Sequence, residues 1–168
     1  MSATADAASS YQEEAEEEKP LPAYLGLMAL YNTFFAGLLV LATRSGRRLP
    51  ERVGTGDMVL FAVATFRLSR IITRAKVTST VRAPFTEGEE AIGDAEVMGT
   101  PKGSGLRLAI GELLSCPFCI SQWIATALIG GLLFAPRVTR ILATVFGIVA
   151  LSDFLQYGRE YVRKKAEG

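Results

Sequence analysis

The chain has 168 residues, 49% hydrophobic and 21% charged, with 18 basic and 17 acidic side chains and no histidine. A net charge of +1 argues against a basic nucleic-acid surface, so no nucleic-acid partner is expected. Without histidine the commonest metal ligand and the usual general base are both missing, and neither a catalytic residue nor a cofactor is expected.

The charges are segregated, and the mean hydropathy of +0.28 averages over apolar runs and polar loops. Residues 1–19 are rich in Ala, Ser, Thr and Glu and too polar to offset the entropy of ordering, which predicts a disordered acidic tail. Pro20 and Pro22 open residues 20–44, in which Ala23 to Thr43 carries no charged side chain. At 1.5 Å per residue this run reaches about 30 Å, the hydrocarbon thickness of a bilayer, and predicts a retained transmembrane anchor. Met58 to Phe66 is a shorter apolar stretch followed by Arg67, Arg70 and Arg74, which fall on one helical face. It suits either an interfacial helix or a short spanning helix whose arginines snorkel.

Ala83 to Gly105, with Pro84, Pro101 and several acids, shows no strand alternation and reads as a mobile polar loop without calcium-loop spacing. Leu106 to Ser115 predicts a short helical approach, and Pro117 suits the first position of a second membrane helix ending at Phe134. Beyond Pro136, Val138 to Tyr157 is expected to return across the membrane. Residues 158–168 form a basic C-terminal tail, with Arg159, Arg163, Lys164 and Lys165, able to attract anionic lipid.

Positive charge favours the cytoplasmic side, so Lys and Arg counts rank the layouts. Three spans with the N-terminus outside and 57–74 interfacial leave only Lys19, Arg137 and Arg140 outside, against a twelve-to-six division for four spans with the N-terminus inside. The count favours three spans. Both layouts put the C-terminus in the cytoplasm.

Cys116-Pro117-Phe118-Cys119 holds both cysteines of the chain at the start of a membrane helix. Helix N-terminal amides favour thiolate, which suits a redox pair; two chains together would offer four thiolates to a metal; and two small cysteines can simply pack. Glu112, Gln122 and Asp153 are the other polar groups near these helices. Antiparallel packing of the last two helices would bring Asp153 level with Cys116, so Arg67 or Arg70 is expected to pair with Asp153 or Glu112 in a polar cluster beside the thiols, unless all four snorkel to the headgroups. Thr33/Gly37, Ala127/Gly131 and Ala143/Gly147 are small pairs that let helices approach closely, in a bundle or a homo-oligomer, and Trp123 is expected to pack on a neighbour.

The ordered run of Ala64-Thr65-Phe66-Arg67-Leu68 with Arg70, Arg82-Ala83-Pro84-Phe85, Gly111-Glu112-Leu113-Leu114, and Cys116 to Cys119 with Trp123 resembles a bacterial family of small membrane proteins, domain of unknown function 1360. The resemblance covers roughly residues 57–157 and implies no established activity, substrate or cofactor. The fold class expected is all-α, a multi-pass transmembrane bundle of three spans plus one amphipathic or short spanning helix. The function expected is that of a non-catalytic protein of the bacterial cytoplasmic membrane, whose partners are the lipid bilayer, other copies of itself or other membrane proteins. A membrane thiol protein, using Cys116 and Cys119 for redox exchange or intersubunit metal binding, is the alternative. A transporter is disfavoured because the short spans lack repeated halves and broken helices.

Overall fold

The apolar runs and their bounding prolines become helices in the computed structural model, which describes residues 20–46, 51–93 and 95–167. The expected acidic tail over 1–19, together with Arg47, Arg48 and Asp94, lies outside the described residues. In chain order the elements are α1 (Leu21–Arg44), α2 (Thr55–Arg74), a 3₁₀ turn (Lys76–Thr78), α3 (Ser79–Arg82), β1 (Thr86–Ala91), β2 (Val97–Pro101), α4 (Gly105–Ser115), α5 (Pro117–Phe134) and α6 (Pro136–Glu167). Prolines occupy the first turn of α1 and α5, where their missing N–H costs no helical hydrogen bond. Pro136 likewise starts α6, so Ala135 alone separates the last two helices. Among the described residues three helices, α1, α5 and α6, are long and apolar enough to cross a membrane.

The region expected to be a mobile polar loop is in part a β-hairpin, which corrects the all-α reading. β1 and β2 pair antiparallel, with Thr86 opposite Pro101 and Ala91 opposite Val97, and the register shifts between Glu87 and Glu90. Gly88, at φ 60°, takes the left-handed conformation inside this irregularity. The acid-rich β1 shows no apolar alternation because only Thr86 along it is buried. Its partner strand supplies the inward face through Val97 and Gly99.

Long-range contacts set the helix directions. Along α1 and α5, Tyr24 meets Glu112 just ahead of α5, Tyr31 meets Trp123 and Thr126, and Leu38 faces Gly130. Residue numbers rise together, so α1 and α5 run parallel. The same holds for α2 and α6, where Asp57 meets Arg140, Leu60 faces Gly147 and Arg67 meets Asp153. α2 therefore extends from one end of the bundle to the other, against both α5 and α6.

The parallel course of α1 and α5 bears on the helix directions that the three-crossing layout assumes. That layout needs Arg44 and Cys116 at the same end, whereas the parallel course of α1 and α5 puts them at opposite ends.

The packed core is small. Phe61, Ala64 and Ala143 are buried, with Leu60, Leu128, Ile129, Leu132 and Phe146 around them. Ala143 and Gly147 let α6 approach α2, whereas Thr33 and Gly37 face outward on α1. The buried hydroxyls of Thr73, Thr126 and Thr139 donate to carbonyls four residues earlier in the chain, so burying them leaves no orphan donor.

Candidate functional site

Most of the polar side chains singled out in the sequence collect at one end of the bundle, where α2 finishes, the hairpin and α4 pack, and α5 begins. Arg82 organises the first part of it. Its side chain is 1% exposed. Nη1 donates to Ile72 O at 2.9 Å and Thr78 Oγ1 at 2.6 Å, and Nη2 donates to Ala75 O at 3.2 Å and Glu89 Oε1 at 3.3 Å. A helix leaves its last carbonyls without intrahelical partners, and this guanidinium satisfies that of Ile72 and the Ala75 carbonyl just beyond the helix while fastening the hairpin. Ala75 then leaves the helix in extended conformation and bridges to Glu96.

The four residues of the expected polar cluster divide between two hollows. Arg67 Nη1 meets Asp153 Oδ2 at 2.8 Å, linking α2 to α6. Arg70 instead holds Glu96, with two hydrogen bonds of 3.1 and 2.5 Å. These two pairs, with Phe66, Phe154 and Tyr157, line a hollow of about 160 Å³. Phe66 stacks on Phe154 at 5.7 Å between centroids, and Arg70 lies 5.9 Å from the Phe66 ring.

Glu112 stands apart from these arginines. It accepts a 2.5 Å hydrogen bond from the Tyr24 hydroxyl of α1. Both residues line an open, mostly apolar groove of about 570 Å³ with Leu27, Met28, Leu113, Ser115, Cys116 and Cys119. The groove rests on a close approach between backbones, because a Cβ on Gly111 would lie 2.6 Å from Phe85 O. Gly111 therefore lets α4 lie against the Pro84-Phe85 corner, which Arg107 also grips by donating to Pro84 O at 2.7 and 2.9 Å.

Cys116 caps α5. Its sulfur accepts the Cys119 N–H at 3.2 Å, a role that Ser, Thr, Asp or Asn more often fills. Both cysteines are free; Cys116 is half-buried and Cys119 exposed. Burial by itself raises the Cys116 thiol, but hydrogen bonds from the Cys119 thiol and from the Cys119 and Phe118 amides, with the charge of Arg74, bring it below its ordinary value of 9.0. Arg74 Nη1 and Ser115 Oγ are buried without a hydrogen-bond partner among the described residues. Among those residues no three His, Cys, Asp or Glu side chains gather to hold a metal ion.

Trp123 packs between helices, edge-on to Tyr31 at 5.2 Å and stacked on Phe34 at 6.3 Å. Four contributors were not legible in the sequence: Tyr24, Glu96, Arg82 as a buried anchor, and the Asp57 carboxylate that Arg140 grips at 2.7 and 2.8 Å at the opposite end. No local pattern marks them, since each partner lies on another element.

Among known proteins, the chain is 33% identical over 102 residues to the sporulation protein YjcA of Bacillus subtilis (strain 168), covering 59% of this chain and 86% of that protein. It is 24% identical over 109 residues to the UPF0713 protein YngL of the same organism, covering 63% of this chain and 80% of the relative. No solved structure matches. Residues 60–158, from α2 into α6, match the family described as "Protein of unknown function (DUF1360)". They contain Arg67, Arg82, Gly111, the thiol pair and Trp123, the residues on which the geometry above turns, and the chain belongs to this family.

Proposed function

We propose that the protein is a multi-pass integral membrane protein of the bacterial cytoplasmic membrane that works through contacts with lipid and with other membrane proteins. The observation that carries this reading is the outward placement of large apolar side chains. On α1, Leu25 is 64% exposed, and Met28, Leu30, Phe34 and Val40 face outward with it. On α6, Ile141 is 65% exposed, along with Leu142, Val145, Ile148 and Leu151. Apolar belts of this extent are costly in water and favourable in hydrocarbon.

The parallel pairs α1/α5 and α2/α6 further support a fourth crossing by α2, beside the three more apolar helices, with the start of α1 and the end of α6 on the side that carries the hairpin. Arg67, Arg70, Arg74, Lys76, Arg82, Lys102, Arg107 and the four C-terminal cations gather at that end, whereas Arg44, Arg52, Arg137 and Arg140 occupy the other. The excess of positive charge makes the hairpin end cytoplasmic. For the charged groups of the bundle a role in contacts is supported by the way they are occupied with one another, in the pairs Arg67–Asp153, Arg70–Glu96, Arg82–Glu89 and Asp57–Arg140.

Single cysteines placed at Arg137 and Glu167, in a chain with Cys116→Ser and Cys119→Ser, test the reading with an impermeant maleimide on spheroplasts. The expected result is retention in membranes through carbonate washing, labelling at position 137 in intact cells, and labelling at 167 only after permeabilisation. Release by carbonate, or equal labelling at the two positions, overturns it.

A further inference from the structure

We infer that Cys116 and Cys119 form a thiol–disulfide exchange site, in which Cys116 attacks and Cys119 resolves, and which takes an apolar disulfide from the groove between α1 and α4. The inference rests on local contacts at the start of α5 and does not depend on how the helices cross a membrane.

Several independent features point the same way. The cysteines sit three residues apart at a helix start, where side chains are neighbours, and the Cys119 amide donates to the Cys116 sulfur at 3.2 Å. Pro117 has no N–H, so the first amides of the helix turn begin at Phe118, and negative charge on the capping sulfur is favoured there. Arg74 adds a positive charge nearby. Neither thiol is buried as a packing cysteine would be, since Cys119 is exposed and Cys116 half-buried, and both open onto the groove. The lining selects the substrate. Leu27, Met28 and Leu113 offer an apolar wall, and the carboxylate of Glu112 disfavours an anionic disulfide such as oxidised glutathione.

The exchange balances without a cofactor. The Cys116 thiolate bonds to one sulfur of the substrate disulfide; that S–S bond breaks, and its electron pair leaves on the second sulfur, which takes up a proton. Cys119 then loses its proton, and its sulfur displaces the remaining half of the substrate from Cys116. Two electrons and two protons pass to the substrate, which becomes two thiols, while the pair becomes an internal disulfide.

The test uses the purified full-length protein in detergent with 2,2′-dithiodipyridine, an uncharged aromatic disulfide, at equal concentration. The expected result is release of both thiopyridone halves and an intact mass lower by two hydrogens. Cys119→Ser should instead hold one thiopyridyl adduct on Cys116. In the unmodified chain, limiting iodoacetamide followed by peptide mapping should alkylate Cys116 roughly tenfold faster than Cys119, a measurement that needs no variant. Stable adducts on the wild-type chain without disulfide closure, or faster alkylation of Cys119, would overturn the site. Oxidised glutathione should react roughly tenfold more slowly than the aromatic disulfide; equal rates would overturn the apolar specificity.

Discussion

Arg67 and Asp153 meet at 2.8 Å across α2 and α6, with side chains 25% and 29% exposed, and this pair aligns two helices that are distant in the chain. An ion pair at such intermediate burial is worth more than an exposed one, because losing one partner leaves the other incompletely solvated. Asp153→Arg should therefore lower stability by about 1–2 kcal/mol, and Arg67→Asp added to it should recover much of the loss. Unfolding in mixed micelles with increasing SDS measures both; equal stability of the single and double variants would show that the pair contributes nothing.

Arg82 should be the most sensitive of the arginines. Its guanidinium donates to the Ile72 and Ala75 carbonyls from within the protein, so Arg82→Met removes the charged donor from Ile72 O, leaves Ala75 O to Thr78 alone and unfastens Glu89. A loss of about 3–5 kcal/mol is expected, with Arg82→Lys also destabilising because an ammonium cannot reproduce the planar fork. Proteolysis of the 83–105 segment should accelerate in step. Unchanged cleavage in Arg82→Met would detach this residue from the hairpin.

Two glycines form a matched contrast. Gly111→Ala forces a Cβ to within 2.6 Å of Phe85 O, a backbone atom that cannot simply rotate away, whereas Gly37 has nothing within 4 Å of an added Cβ. Gly111→Ala should cost about 1–3 kcal/mol, and Gly37→Ala should stay within about 0.5 kcal/mol of wild type or stabilise α1 slightly. Thermal unfolding in one detergent compares them directly, and the order of the two midpoints decides the matter.

The alkylation of Cys116 should follow pH in a way that reports its cap position. With its thiol held below 9.0, thiolate forms and reactivity rises at lower pH than for an ordinary cysteine, levelling off sooner as pH increases. Arg74→Gln removes a charge that favours thiolate, so its profile should move to higher pH. Stopped-flow alkylation of the two chains across the neutral and alkaline range reads the shift; superimposed profiles would remove Arg74 from this role.

The charge count shows where local reading stops. Counting Lys and Arg takes no account of partners: Arg67 meets Asp153, one of the pairings expected, but no local pattern shows that Arg70 meets Glu96 or that Arg74 lies near Cys116. Thr86-Glu87-Gly88-Glu89-Glu90-Ala91 carries no strand signal of its own, and its pairing depends on Val97–Pro101 and on the Arg82 anchor beside Glu89. The interlocking of Arg82, Phe85 and Gly111 could be named from the sequence only as an ordered run of short motifs.

What the sequence by itself determined is the set of long helices and several of their limits. The absence of charge over Ala23 to Thr43 and from Pro117 to Phe134, and the prolines that begin α1, α5 and α6, act through backbone chemistry and transfer energy within a single segment. Only the tertiary structure decided that α1 runs parallel to α5, that α2 extends along α6, that an acidic segment becomes a strand, and which carboxylate each arginine meets. Those outcomes depend on contacts between residues far apart in the chain, where close packing and paired charge outweigh local propensity.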